Sequence, residues 1–192
     1  MKNILFVNAC VRPESRTRRL AEAVLAQMEG NVTEVNLERE AIRPLDKAGL
    51  AERDACSRAG DFDAPIFRYA RQFAGADEIV IAAPYWDLMF PAMVRAYLEA
   101  VTVTGVTFYY TEKGIPKGLC RAKRLTYVTT AGGPIGTMNF GYDYVKALCG
   151  AFYGIPQTEC VKAENLDIIG NDAEAILDYA ITEVRERFRG NS

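Results

Sequence analysis

The chain has 192 residues, of which 49% are hydrophobic and 25% charged, the proportions of one ordinary globular domain that buries its own core without help from disulfides or metals. Lys plus Arg number 23 against 25 for Asp plus Glu, a net charge of -2, which excludes the basic footprint of a general nucleic-acid binder. Histidine is absent, and with it go Ser-His-Asp and Cys-His nucleophile systems, histidine-bearing zinc sites and facial-triad iron.

Ile4, Leu5, Phe6 and Val7 form a continuous apolar run. It predicts a strand buried on both faces, in mid-sheet, and is too short for the core of a signal peptide. From Arg16, the residues Leu20, Ala21, Val24, Leu25 and Met28 recur at helical spacing and Gly30 stops them. Val32, Val35 and Leu37 mark a second, less apolar strand over 31–38, placed nearer an edge. Residues 40–62 carry scattered charges, Pro44, Gly49 and Gly60, and read as loop with a short helix. Ile66, Ala70 and Phe73 predict a helix that feeds a buried strand over 78–83, ended by Pro84. Pro91 suits the first turn of the next helix, whose apolar face is Met93, Val94, Tyr97, Leu98 and Val101. A strand over 124–130 is terminated by Gly132, Gly133 and Gly136; a helix carrying Val145, Leu148, Cys149 and Phe152 follows, then a weak strand around 159–162. The last helix is expected to begin at Asn171, with Glu174 as its capping-box partner and Ile176, Leu177, Ala180, Val184 and Phe188 as its apolar face.

Strands alternating with helices in this way predict parallel crossovers: an α/β, doubly wound, five-stranded parallel sheet with helices on both faces, in a single domain over 1–192. The five cysteines, Cys10, Cys56, Cys120, Cys149 and Cys160, are odd in number and form no C-x-x-C, so they read as reduced thiols rather than as a disulfide framework or metal knuckle. No stretch approaches membrane-spanning length, and the expectation is a cytoplasmic protein with neither membrane nor nucleic acid as partner. Cys10 reads first as a small buried residue at a strand end and only second as a redox group.

In such sheets ligands bind beyond the carboxyl ends of the strands, near the topological switch point. Loops 8–17, 84–90 and 130–140 are therefore the candidates. The first opens a helix, where unpaired amides and the dipole favour an anion, and Ser15 and Thr17 add hydroxyls. It matches neither G-x-x-x-x-G-K-[ST] nor G-x-G-x-x-G, which points to a monophosphate rather than a nucleoside triphosphate or a Rossmann-bound dinucleotide. The alternative is that Ser15 is only the helix N-cap and that Arg16, Arg18 and Arg19 form a solvated face. In the second loop, Pro84, Tyr85, Trp86, Asp87 and Leu88 set large aromatics just past a buried strand, where a planar ring could lie or where they could simply pack. The third loop, with Gly132 and Gly133, reads as exposed amides able to meet a heterocycle, or as a plain turn. A phosphate site, an aromatic platform and an amide-rich turn around one crevice are the needs of a flavin mononucleotide.

The run A-P-Y-W-D-L at 83–88, the run G-V-T-F-x-Y-T-E-x-G at 105–114 and Thr130, Ala131, Gly132 and Gly133 resemble the FMN-dependent NADH-azoreductase and NAD(P)H quinone reductase family of the flavodoxin-like fold, from residue 2 to about residue 189. The resemblance implies that Ser15, Arg16 and Thr17 hold the FMN phosphate. It implies that Pro84, Tyr85, Trp86, Asp87 and Leu88 flank the ribityl chain and ring, that Thr130, Gly132 and Gly133 meet the pyrimidine edge, and that Tyr110 and Phe90 wall the substrate pocket. Three positions depart from the family pattern: Ala9 replaces a usual Ser, Asp87 a usual Asn and Ala131 a frequent Arg.

The expected activity is a ping-pong transfer of hydride from NADH or NADPH through FMN to a flat, electron-poor acceptor such as a quinone, azo compound or nitroaromatic. No catalytic side chain is required, since the cofactor carries the chemistry. The resemblance also implies a homodimer with each flavin at the subunit interface. A flavodoxin-type electron carrier and a flavin-free binding or regulatory module on the same fold remain the alternatives.

Overall fold

Alternation of side chains along the central strands divides the interior into two cores. The computed structural model describes residues 1–40 and 42–189; residues 190–192 of the expected domain, Ala41 of the 40–62 segment and the side chain of Phe188 lie outside that description. In chain order the elements are β1 (Asn3–Asn8), α1 (Arg16–Leu25), β2 (Asn31–Asn36), α2 (Leu37–Glu40) and α3 (Lys47–Ala59). A 3-10 turn, Pro65–Phe67, leads into α4 (Arg68–Gly75), then β3 (Glu78–Ala82), α5 (Ala92–Val101), β4 (Phe108–Tyr110) and β5 (Pro116–Gly118). After β6 (Arg124–Thr130), α6 (Phe140–Leu148) runs on as a π turn, Cys149–Tyr153, before β7 (Gln157–Ala163) and α7 (Ala173–Arg189). Among the described residues no helix is long and apolar enough to cross a membrane.

The main sheet has the order β2-β1-β3-β6-β7 with every pairing parallel. The chain steps from β1 outward to β2 and then crosses back to β3 on the other side, so the switch point lies between β1 and β3. Leu5, Val7, Ile79, Ile81, Leu125 and Tyr127 pack on one face against Phe73 of α4, Val94, Tyr97 and Leu98 of α5 and Val145 of α6. Ile4, Phe6, Val80, Ala82 and Val128 pack on the other against Leu20, Ala21 and Val24 of α1 and Leu177 and Val184 of α7. Each large aliphatic side chain so buried contributes about 1.5–3 kcal/mol, and together these layers fix where the strand ends fall.

Several elements depart from expectation. Residues 40–62 hold a helix of 13 residues, α3, with no buried side chain. Asp46 caps its first turn by accepting from the Gly49 amide at 2.8 Å, and Gly60 closes it at φ 70°. Arg53 ties it to the end of α5 by donating to the carbonyls of Glu99 and Thr102. A helix held by one arginine and by Cys56, packed on Phe67, Ala70 and Val103, needs no apolar stripe, so periodicity under-reads it. The last helix starts at Ala173, not Asn171: Asp172 accepts from the amides of Glu174 and Ala175, while Glu174 pairs with Arg19 instead of closing a capping box. The weak strand extends over the whole of β7, where its parallel pairing with β6 supplies what its mixed composition does not.

The 105–114 run has a structural basis in the hairpin β4-β5, which stands apart from the main sheet. Gly105, at φ 88°, lies against the Phe62 ring, and a Cβ there would come within 2.5 Å of it. Thr107 is fully buried; its hydroxyl accepts from the Val103 amide at 3.0 Å and donates to the Val101 carbonyl at 2.8 Å. Phe108 meets Phe152 edge-on at 4.8 Å. The Thr111 hydroxyl accepts from the Ile115 amide and Gly114 turns at φ 72°.

Glu78 opens β3 between Lys2 at 2.6 Å and Arg124 at 3.0 Å and is 6% exposed. Burial pushes its carboxyl up, but the bonds from Lys2 and Arg124 outweigh that and hold it below the ordinary glutamate value. A carboxyl depressed in the folded state stabilises at pH above its unfolded value, about 4.3, and loses that contribution as pH falls through the lower folded value. Glu78→Gln is expected to cost about 1–2 kcal/mol at pH 7, and urea unfolding should show the gap to wild type closing between about pH 5 and pH 3. A gap that stays constant with pH would remove the ion pair from the explanation.

Candidate functional site

At the carboxyl end of β1, Asn8 is buried and bends the chain out of the sheet. Its side-chain oxygen accepts from the Cys10 amide at 2.9 Å and its amide nitrogen donates to Glu34 at 2.8 Å. The loop that follows reaches α1 at Ser15, whose extended backbone and hydroxyl, accepting from the Arg18 amide at 3.2 Å, make it the N-cap. The amides of Arg16 and Thr17, in the first turn, have no intrahelical acceptor and face the positive end of the helix dipole. Thr17, 1% exposed, places its hydroxyl 2.6 Å from that of Thr130 at the end of β6. One hydroxyl donates to the other, so the acceptor's own proton remains available to a third group.

The arginines of this helix are not simply a solvated face. Arg18 meets Glu22 and Glu34, and Arg19 meets Glu174 and Asp178. Arg16 reaches across to Asp167, in the loop after β7, at 2.7 Å.

Beyond β3, the Tyr85 amide donates to the Thr130 carbonyl at 3.1 Å, which ties the second loop to the third. Trp86 and Met89 then exchange both backbone hydrogen bonds at 2.8 Å around Asp87 and Leu88, at φ 49° and 69°. Left-handed backbone at both central positions is a type I′ turn, for which Asn-Gly is the ordinary choice. The turn holds Trp86 partly exposed, at 41%, on the cleft side of β3.

In the third loop the Ala131 amide donates to Ala163, and the carbonyls of Gly132 and Gly133 accept from the amides of Asp167 and Asn165. The amides of Gly132 and Gly133 have no partner among the described residues. A Cβ on Gly132 would lie 2.4 Å from the Asp167 carboxylate.

These loops enclose an open cleft of about 360 Å³, within the range of small-molecule sites. Of the residues singled out in the sequence, Ser15, Arg16, Thr17, Pro84, Tyr85, Trp86, Thr130 and Gly132 line it. Asp87, Leu88 and Gly133 sit in the same loops without lining it. Phe90 does not belong to its wall: the I′ turn and Pro91 fold it inward, and it is buried beside Tyr144. Tyr110 stands on the hairpin over a separate depression beside Leu50 and Phe62. Ala9 is buried in the core and Ala131 is buried in the cleft wall. Val11, Arg12, Glu14, Leu166 and Asp167 complete the lining; the loop after β7 was not among the candidate loops, although the same strand-end rule covers it.

No thiol is poised to react in this cleft. Burial pushes Cys10 up, and raises Cys120 and Cys149 to about 12 and Cys160 to about 11. Cys10 is buried with its sulfur 3.9 Å from the Ala82 carbonyl, a packing position.

Residues 2–188 match the flavodoxin-like fold family. The chain is 33% identical to FMN-dependent NADH:quinone oxidoreductase 2 of Clostridium acetobutylicum, over 97% of this chain and 98% of that one. It is 37% identical to the FMN-dependent NADH:quinone oxidoreductase of Lachnoclostridium phytofermentans, over 91% and 92% of the respective chains. Among solved structures, azoreductase from Bacillus anthracis superposes with a TM-score of 0.83 at 26% identity, covering 98% of this chain and 99% of that one.

Leucine at a left-handed position carries strain of about 1 kcal/mol, more than glycine would. Leu88→Gly is therefore expected to raise the unfolding free energy by about 0.5–1 kcal/mol. Chemical denaturation measures it, and a loss of stability would mean that Leu88 packing outweighs the turn.

Proposed function

Because the chain belongs to the flavodoxin-like family that includes the FMN-dependent NADH:quinone oxidoreductases, we propose that it is an FMN-dependent NAD(P)H oxidoreductase, reducing quinones, azo compounds or related electron-poor aromatics. The observation that carries this reading is the convergence, on one cleft at the switch point, of three kinds of group. These are the unpaired amides and hydroxyl of the α1 N-terminus, the exposed Trp86, and the unpartnered amide of Gly132, with that of Gly133 next to it in the same loop. That donor set fits a phosphate joined to a flat heterocycle with carbonyl edges.

In this reading FMN, when bound, supplies the hydride acceptor and donor. The Arg16 and Thr17 amides and the Ser15 hydroxyl donate to the phosphate, with the spare proton of the Thr17 and Thr130 pair beside them. Tyr85 and Trp86 give the ring a flat apolar wall, and Tyr85 is itself braced by donating its hydroxyl to the Met138 carbonyl at 2.9 Å. The amide of Gly132, with that of Gly133 beside it in the loop, would donate to the polar edge of the ring. Nicotinamide donor and acceptor use the same open face in turn, which makes the kinetics ping-pong.

The reading extends to a homodimer in which a second copy covers the mouth of the cleft, and to a cytoplasmic setting. Trp86 on the cleft wall, Leu88 and Met138 in the adjoining loops and Phe140 at the start of α6 are large apolar side chains left exposed, with Tyr109 and Tyr110 on the hairpin. Apolar surface of that extent is ordinarily covered by a partner.

Trp86 is the only tryptophan, so its emission reports on this cleft alone. Titrating FMN into apoprotein should quench it in step with flavin binding; anaerobic NADH should then bleach the flavin band, and steady-state quinone reduction should give parallel double-reciprocal lines. Tight FMN binding with unchanged emission would move the ring away from residues 84–88, and a colourless protein that binds no flavin would defeat the reading. Light scattering at micromolar concentration is expected to report twice the chain mass; a monomer with full reductase activity would remove the second copy from the site.

A further inference from the structure

We propose that Asp167 is a positioning residue for phosphate binding: it holds the Arg16 guanidinium across the mouth of the cleft, so that a phosphate monoester at the α1 N-terminus meets a cation already in place. The inference rests on the FMN reading above and adds to it a residue, and a loop, that act only through Arg16.

Arg16, Arg18 and Arg19 belong to the same short stretch of α1 but differ in their surroundings. Arg18 is spanned by Glu22 and Glu34 and Arg19 by Glu174 and Asp178, so each is balanced by a pair of carboxylates. Arg16 has Asp167 as its carboxylate, met through one terminal nitrogen at 2.7 Å, and makes no other side-chain hydrogen bond among the described residues. An arginine fork carries five N–H donors. A single contact at one terminal nitrogen leaves the Nε edge, the side that pairs in bidentate fashion with phosphate oxygens, without a protein partner. Arg16 and Asp167 both line the cleft, whereas Arg18 and Arg19 do not.

The carboxylate is exposed, yet its place is set by the backbone. The Asp167 amide donates to the Gly132 carbonyl at 2.9 Å, and the Leu166 and Asn165 amides donate to Ala131 and Gly133 at 3.2 and 3.3 Å. The side chain rests on Gly132, in the space that a Cβ would fill. Asp167 is thus pinned to the loop that meets the polar edge of the ligand. A long arginine side chain loses rotamer freedom when it is fixed, and fixing it before the ligand arrives removes that loss from binding. A carboxylate near a phosphate also repels it, so the proposal has a definite sign to test: positioning predicts that removing Asp167 weakens binding, competition predicts that it tightens it.

Wild-type apoprotein and its Asp167→Ala, Asp167→Asn, Arg16→Gln and combined Arg16→Gln, Asp167→Ala forms are titrated with FMN and, separately, with riboflavin, which lacks the phosphate, following Trp86 emission. Asp167→Ala is expected to weaken FMN about five- to tenfold while leaving riboflavin within about twofold. Asp167→Asn, which keeps an acceptor oxygen for Arg16, should recover most of the FMN affinity, and Asp167→Ala should have no further effect once Arg16 is glutamine. Unchanged or tighter FMN binding by Asp167→Ala overturns the proposal, as does an equal loss for riboflavin, which would mark a general disturbance of the rim. Wild-type apoprotein that binds neither flavin overturns the FMN reading together with this one; wild-type that binds FMN, with an Asp167→Ala form that binds it equally, overturns this one alone.

Discussion

A parallel sheet covered on both faces satisfies its backbone groups internally and surrounds them with apolar side chains. Chemistry is thereby confined to the rim where the strands end. In this protein the confinement is strict: Ile79, Val80, Ile81 and Ala82 of β3 are all fully buried, so nothing along the strand can touch a ligand until Pro84. The same holds from Ile4 to Val7 in β1 and from Leu125 to Thr129 in β6. Everything the site does must be done by the strand ends, the first turn of α1 and above all the loops, which by themselves are the least constrained part of a chain.

What makes those loops a site is that they are tied to one another. Thr130 is the junction: its hydroxyl meets Thr17 at the start of α1, and its carbonyl accepts from Tyr85 after β3. One residue later, Ala131 donates to Ala163 and accepts from Leu166, which brings the loop after β7 into the same frame. The bonds are short and mostly backbone to backbone, so they survive changes of side chain, including Ala9 and Ala131 at the positions that depart from the family pattern. A rim braced in this way holds its donors in place before any ligand arrives, which is where preorganised sites gain their affinity.

The central strands were legible because burial on both faces leaves an unmistakable mark, an unbroken run such as Ile79, Val80 and Ile81. The edge strand β7 was only half visible, since Thr158, Glu159 and Lys162 belong to a strand through its pairing with β6 rather than through their own preferences. Helix α3 was under-read because a guanidinium and one cysteine, not an apolar stripe, anchor it. Ser15 and Thr17 could be found from the strand-loop-helix order alone, but their bonding could not: one is engaged as a cap and the other is shared with Thr130. Phe90 was misplaced because no sequence rule announces a type I′ turn built from Asp and Leu. Asp167 was passed over because the loop containing it carries no aromatic, glycine pair or basic run near the strand end; only the fold brings it beside Arg16.

The π turn at Cys149–Tyr153 allows one helix to answer to two neighbours that need it in different phases. At its start, α6 is fixed to the rim, with Asn139 accepting from the Tyr142 amide and donating to Cys160. At its far end the chain lies against the hairpin so closely that a Cβ on Gly118 would fall 2.2 Å from the backbone of Tyr153, and the Tyr153 hydroxyl meets that of Thr102 at 2.7 Å. A turn that holds one extra residue is offset by about 100° from a continuous α-helix, and here it is the turn on which the helix ends, at Gly154. It is this last turn, and not the α-helical part before it, that lies against the hairpin with its exposed tyrosines. The irregular turn thus presents to the hairpin a different set of side chains from the one an α-helical turn would have turned toward it.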